Sequence, residues 1–284
     1  ILPVNVANKQ LFVDVVDGHG KTMVSLDVGN YTAYVNYTNS NYDINLTNCS
    51  FIVSKADVAL RIEVLDKVYT ADITGNVFAS VDGEYSVVVG KYSIPVVVLN
   101  GVGAFDLGII DAGNYTARVI FAGNDNYNSN DNETTFKVAR TGTNFNIIAN
   151  VTNITYGNSV NVTQSLPDGA YGNVTYFFDN GSVIKVLNVG ESFIMPILDV
   201  GTYVVYANYS GDSNYAPARD SFTLTINKAI NNIIVSGMNV VYPQNVTITV
   251  MADVDGEYSV VVGGKIVIVS VLNGIGMNSI YLGA

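Results

Sequence analysis

One short phrase occurs three times along this chain. Asp27-Val28-Gly29-Asn30-Tyr31-Thr32-Ala33 returns as Asp111-Ala112-Gly113-Asn114-Tyr115-Thr116-Ala117, and again as Asp199-Val200-Gly201-Thr202-Tyr203-Val204-Val205. The tyrosines lie 84 and 88 residues apart. A second phrase follows each: Tyr37-Thr38-Asn39-Ser40-Asn41-Tyr42, then Phe121-Ala122-Gly123-Asn124-Asp125-Asn126-Tyr127, then Tyr209-Ser210-Gly211-Asp212-Ser213-Asn214-Tyr215. A third is nearly verbatim. Val81 to Gly90 equals Val254 to Gly263 at an offset of 173, and Leu99-Asn100-Gly101-Val102-Gly103 meets Leu272-Asn273-Gly274-Ile275-Gly276 at the same offset. That offset is two periods, so all the markers share one register. A fixed period means a duplicated structural unit, and the fold question reduces to one unit.

Lys55-Ala56, Arg140-Thr141 and Lys228-Ala229 each follow an alternating apolar run. Residues 55–139 and 140–228 therefore read as complete repeats, 1–54 as the C-terminal half of one, and 229–284 as the N-terminal half of another. The chain begins with Ile1 rather than Met and reads as an internal piece of something longer. Its tail, Leu282-Gly283-Ala284, stops where Gly-x-Tyr is expected next. Short of its last two strands, 229–284 is expected to fray, and 55–228 to be well behaved.

Within a unit the period is two. Ser221-Phe222-Thr223-Leu224-Thr225-Ile226 and Asn245-Val246-Thr247-Ile248-Thr249-Val250 alternate strictly. Alternation rich in Val, Ile, Thr and Tyr is the half-buried strand pattern. No segment carries an apolar helical stripe. Asn100-Gly101, Asn180-Gly181 and Gly211-Asp212 punctuate the runs as turns. Many short strands in such a unit predict an all-β chain of tandem β-sandwiches, two complete and two partial.

The Asp-x-Gly-x-Tyr phrase sharpens this to an immunoglobulin-like sandwich. There a Tyr at the start of strand F bonds back to upstream backbone, the tyrosine corner. Tyr31, Tyr115 and Tyr203 are the expected corner residues, with Gly29, Gly113 and Gly201 beside them permitting a backbone that a side chain would strain. The position of the second Cys of such domains holds Ala33, Ala117 and Val205, small apolar packing in place of a disulfide. The second phrase fits the F–G turn, with Gly123, Asn126 and Tyr127, and Gly211, Asp212, Asn214 and Tyr215, as its defining residues and Asx-turn bonds as its glue.

These residues carry a family resemblance. Gly201-Thr202-Tyr203, the run Tyr209 to Tyr215, and Ile154-Thr155-Tyr156-Gly157-Asn158-Ser159-Val160 opening the same repeat resemble the bacterial Ig-like domains (type 3 group) of adhesin-like surface proteins from methanogenic archaea. The resemblance covers essentially the whole chain. The first repeat departs from it, with Asn39 at the turn glycine and one residue fewer. It implies a secreted, cell-surface array with a structural or adhesive role.

Composition narrows function independently. Asp plus Glu outnumber Lys plus Arg by 24 to 13, which argues against a nucleic-acid partner. One Cys, Cys49, excludes an internal disulfide and a thiolate metal cluster. The lone His19 has no Cys or second His to pair with and occupies the slot of Val102 and Ile275, so it reads as a loop substitution. No apolar run approaches the ~18 residues of a membrane span. No enzyme activity and no cofactor are expected. Gly18-His19-Gly20 and Gly101-Val102-Gly103 precede no helix and are not nucleotide loops.

The reading is a stalk or adhesion segment. Its partners are neighbouring repeats of the same chain and surface glycans or proteins of other cells, with outward Tyr34 and Tyr206 as contact positions. The rival readings are a carbohydrate-binding module and an accessory region of a larger secreted enzyme. Asn-x-Ser/Thr sequons number 13 where about five arise by chance. Asn36, Asn114, Asn132, Asn180 and Asn208 are the candidate glycosylation sites, although Asn and Thr two apart on a wet strand face co-occur anyway. Asp125, Asp131 and Glu133 match no defined Ca²⁺ loop and read as a solvated turn. Lys55 and Lys228 sit at repeat boundaries, which suits solvent better than a Lys–Asn isopeptide bond.

Overall fold

The computed structural model describes residues 1–35, 37–43 and 47–283, all as strands and turns. Among them no helix is long and apolar enough to cross a membrane. The chain divides into two compact units, Ile1–Thr143 with Gly211–Pro217, and Asn144–Ser210 with the chain from Ala218 onward.

The first unit opens with β1 (Leu2–Val6), β2 (Lys9–Val13), β3 (Gly29–Val35) and β4 (Asn48–Val53) in one sheet of order β2-β1-β3-β4. Then come β5 (Leu60–Val64), β6 (Lys67–Val68), β7 (Thr74–Ala79), β8 (Gly83–Val89), β9 (Tyr92–Val98), β10 (Val102–Asp106), β11 (Gly113–Phe121) and β12 (Asn130–Ala139). They form a three-stranded sheet, β10-β7-β5, and a five-stranded sheet, β6-β12-β11-β8-β9. Alternate residues of both sheets share one core, including Ile62, Val77, Val87, Phe105, Val119 and Phe136. β12 shows the rule. Phe136 and Val138 are buried while Thr135 and Lys137 are not, because successive side chains point to opposite faces.

The second unit contains β13 (Asn146–Ala149), β14 (Asn153–Thr155), β15 (Asn161–Ser165), β16 (Asn173–Phe178), β17 (Val183–Asn188), β18 (Phe193–Ile194), β19 (Gly201–Tyr209) and β20 (Ala218–Asn227). Their sheets repeat the pattern as β13-β15-β18 and β14-β20-β19-β16-β17. In both copies the short strand that enters the five-stranded sheet pairs parallel with the strand that leaves it, Val138 with Lys67 and Ile226 with Ile154. A parallel strand closing an otherwise antiparallel sheet, opposite a three-stranded one, is the immunoglobulin-like arrangement. The chain is thus all-β, built of tandem sandwiches.

The last strands are β21 (Ile233–Gly237), β22 (Val246–Ala252), β23 (Gly256–Val262), β24 (Lys265–Val271) and β25 (Ile275–Ile280). They form sheets β21-β22-β25 and β23-β24 around a small core of Val250, Val269 and their neighbours.

The near-verbatim third phrase has a local cause. Asn100 and Gly101 form a hairpin tip with φ of 53° and 83°, and Asn273 and Gly274 repeat it. Asp82 accepts hydrogen bonds from the backbone N–H groups of both Asn100 and Gly101 at 3.0 Å. Those bonds hold its carboxyl below the usual carboxylate range. Asp255 accepts from Gly274 in the later copy. The glycine two positions on is fixed by contact. A Cβ on Gly103 would sit 2.7 Å from the Val97 carbonyl oxygen, and one on Gly276 2.3 Å from that of Ser270.

Candidate functional site at the repeat junctions

The three corner tyrosines share one geometry. The hydroxyl of Tyr31 donates to the Asp27 carbonyl at 2.9 Å, that of Tyr115 to Asp111 at 2.8 Å, and that of Tyr203 to Asp199 at 3.0 Å. Burial and the Asp111 charge push the Tyr115 hydroxyl up from its ordinary pKa, which keeps it a donor. The reason for the adjacent glycine differs from the expected one. Gly29, Gly113 and Gly201 are not in the left-handed region. The ring folds back over the chain instead, and a Cβ on Gly113 would lie 3.3 Å from Cε2 of Tyr115. The position two residues after the tyrosine is fully buried at Ala117 and Val205, and half-buried at Ala33.

The same bond recurs in the near-verbatim third phrase. Tyr85 donates to the Val81 carbonyl at 2.7 Å and Tyr258 to that of Val254. Val-Asp-Gly-Glu-Tyr is therefore a second tyrosine corner, at the start of β8 and β23. Its signal, Gly two residues before Tyr, was present in the text.

The F–G turns are built as Asx turns. Asn124 Oδ1 accepts from the N–H of Asn126 and of Tyr127, both at 3.0 Å. Asp212 Oδ1 accepts from Asn214 and Tyr215 at 2.7 Å, and Asn39 Oδ1 from Asn41 at 2.8 Å. Here glycine is required by backbone conformation. Gly123 and Gly211 have φ of 83° and 76°.

Within the first unit these turns meet the corners. Asn126 Oδ1 accepts from the Val28 N–H at 2.9 Å while its Nδ2 donates to Asp27 Oδ1 at 3.0 Å. Asn214 does the same to the next corner, accepting from Ala112 at 2.8 Å and donating to Asp111 Oδ1 at 2.9 Å. Each turn also grips the segment between corner and turn. Ala56 donates to the Asn126 carbonyl and accepts from Asn128; Thr141 donates to the Asn214 carbonyl and accepts from Ala216. Lys55 Nζ donates to the Asn124 carbonyl at 2.6 Å. Tyr215 packs edge-on against Tyr69, with ring centroids 5.6 Å apart. A junction is thus a three-way knot of corner, boundary residue and turn. An amide suits its centre, because its oxygen accepts from one group while its NH2 donates to another. Sequence reading assigned Asn126 and Asn214 to the turn alone. Their partners lie about a hundred residues earlier, and no local pattern encodes that. At the third corner Asp199 and Val200 are exposed, and no described residue bonds the Val200 N–H.

The remaining candidates scatter. Asp131 pairs with Arg118 at 2.9 Å on the outer sheet face, apart from the Asx turn of Asn124. Among the described residues no group of acidic, His or Cys side chains converges as metal ligands. His19 and Cys49 are exposed. Asn114, Asn180 and Asn208 are exposed and Asn132 is half-buried, whereas Asn36 lies outside the described residues. Tyr34 is 49% exposed, while Tyr206 is half-buried against Phe177.

No family model matches this chain, and no curated protein matches it. Solved structures similar to it include fibronectin(III)-like modules of Clostridium thermocellum CbhA, at 15% identity over 59% of this chain and 95% of that one, TM-score 0.26. The I9–I11 tandem of titin is similar at 14% identity over 79% and 90%, TM-score 0.29. The Escherichia coli adhesin FdeC is similar at 11% over 70% and 74%, TM-score 0.28. At such values the likeness carries no argument about function, and the fold assignment rests on strand order.

Proposed function

We propose that this chain is a non-catalytic stalk or adhesion segment of an extracellular, cell-surface protein. In this reading the repeats 1–54, 55–139, 140–228 and 229–284 are successive spacers, of the kind found in adhesin-like surface proteins of methanogenic archaea. The observation that carries it is the junction knot. A boundary residue hydrogen-bonded on both sides, beneath an amide that ties turn to corner, cannot swivel like a free linker. Each such bond contributes about 0.5–1.5 kcal/mol net, so four together hold a junction closed most of the time.

The parallel strand pairs point the same way. Tension along the chain loads β6 against β12 and β14 against β20, where neighbouring hydrogen bonds are sheared together rather than opened singly. The surface suits contact. It is low in charge and rich in Tyr, Asn and Thr, which form hydrogen bonds with glycans or proteins of other cells. Sequons at Asn114, Asn180 and Asn208 are exposed enough to be glycosylated.

Spin labels on β2 and on β9, both in the first unit and on either side of the Asn126 junction, read by pulsed dipolar spectroscopy, test the stiffness. A narrow distance distribution that broadens in Asn126→Ala is expected. A broad distribution in the unaltered chain overturns the stalk reading. Antibody labelling of intact producing cells tests the location, and staining only after lysis overturns it.

A further inference from the structure

The corner glycine also numbers the outward positions of the strand that follows it. Five residues on stand Tyr34, Arg118 and Tyr206, facing Asn5, Val88 and Phe177 across the sheet. Inward positions of these strands stay apolar from repeat to repeat, whereas this outward pair changes completely. The diagonal neighbour on the next strand changes with it. In β11 and β12, Arg118 is neutralised by Asp131. In β19 and β20 the same diagonal joins Tyr206 to Arg219.

There the rings of Phe177 and Tyr206 stack at 5.6 Å and 20°, and the Arg219 guanidinium lies 5.3 Å from both centroids. Arg219 Nε donates to Asn208 Oδ1 at 2.9 Å. No acidic side chain pairs with Arg219 among the described residues. Thr175 stands opposite Asn208, and Ser221 opposite Tyr206, on the same outer face. One repeat therefore presents an aromatic pair, a guanidinium without a counter-ion, and a row of hydroxyl and amide groups on a flat sheet face.

We propose that this face binds an acidic saccharide, a glycan carrying uronate-type carboxylates. The guanidinium fork of Arg219 meets a carboxylate with two parallel N–H bonds. The π-faces carry negative charge, so the polarised C–H groups of a sugar ring settle against them. Thr175, Asn208 and Ser221 match sugar hydroxyls as mixed donors and acceptors. Charge complementarity selects the acid. The chain's net charge of −11 repels anions elsewhere, so an anionic partner is drawn to the guanidinium of Arg219, which no carboxylate pairs with among the described residues. A peptide would seek a sheet edge or pocket, and this is a sheet face. The inference does not rest on the stalk reading; either stands if the other fails.

The test is titration calorimetry of the full 284-residue chain with an oligogalacturonate, against a neutral oligodextran and an oligoglutamate of equal length. Saturable binding is expected only to the oligogalacturonate, weakened about tenfold by Arg219→Gln and by Tyr206→Thr. Arg118→Gln, on the self-neutralised face, leaves it unchanged. Circular dichroism confirms that the variants keep their sheet. Absence of saturable binding at millimolar ligand overturns the proposal. So does equal binding to dextran or to oligoglutamate, and so does affinity that survives both variants.

Discussion

Replacing Asn214 by Asp changes one atom at the centre of a junction and separates its contributions. The acceptor Oδ1 remains, so the bond from the Ala112 N–H survives. The donor Nδ2, 2.9 Å from Asp111 Oδ1, becomes a carboxylate oxygen. A hydrogen bond donated to a charged acceptor is lost, about 1.5 kcal/mol at an exposed site. Two like charges about 3 Å apart add ~1.4 kcal/mol of repulsion in water. Together they weaken the closed junction by about 3 kcal/mol, some hundredfold in its opening equilibrium. Asn214→Ala removes both bonds and adds no charge, a loss of about 2 kcal/mol. At low salt Asp is therefore the worse substitution. The order closes up at 1 M salt, where the Debye length falls to about 3 Å. Amide hydrogen exchange over residues 110–114, at low and high salt, reads both predictions. If the Asp variant protects Ala112 as well as the parent does at low salt, the amide is not the tie. If Ala proves worse than Asp at low salt, the charge argument fails.

Four further outcomes are expected. Gly103→Ala lowers the melting temperature and destabilises by roughly 2 kcal/mol or more, because its methyl group meets the Val97 carbonyl; a silent substitution would refute that contact. Tyr115→Phe removes the corner bond and destabilises by about 1 kcal/mol in urea melts. Asp82 has a depressed folded-state pKa, so its contribution is present above the ordinary carboxylate pKa and lost as pH falls through the folded value; Asp82→Asn should flatten the acid limb of a stability–pH curve and leave its alkaline limb alone. Burial pushes Tyr176 up to about 12. The unfolded chain gives up that proton first, so stability falls as pH rises from about 10 to 12, and Tyr176→Phe should remove that fall.

Period two, the turn glycines and the corner tyrosine are all local, and each was legible in the sequence. Phe136 and Val138 alternate with Thr135 and Lys137, so the inward face of β12 could be read directly. The Asx turns were legible too, because the bond runs two residues along the chain. What could not be read is whatever closes over a long separation. Asn126 meets Asp27 across 99 residues and Asn214 meets Asp111 across 103. The corner glycine was legible as a requirement but not as a cause, since the ring lying over it is a matter of packing rather than of φ. Arg219 was invisible as a partner of Tyr206, because antiparallel register brings them together from opposite ends of two strands.

The same asymmetry explains what the repeat preserves and what it varies. A corner, a turn and a junction amide are bonded to one another within the first unit, so a change in one removes a bond from another. Among the described residues, the outward groups around Arg118 and Tyr206 interact only within their own sheets. Arg118 with Asp131 is complete within its own sheet, and Phe177, Tyr206 and Arg219 are assembled on the same grid without disturbing Val205 or Ala207 beneath them. A tandem array of this design can therefore place a recognition face on one repeat and leave its neighbours as spacers. The junction bonds of Asn126 and Asn214 involve none of these outward residues. Exchanging Phe177, Tyr206 and Arg219 for the Val, Arg and Asp of β8, β11 and β12 should thus leave the melting temperature and the amide-exchange protection of residues 110–114 unchanged. A shift in either would mean that the outer face and the junction are coupled.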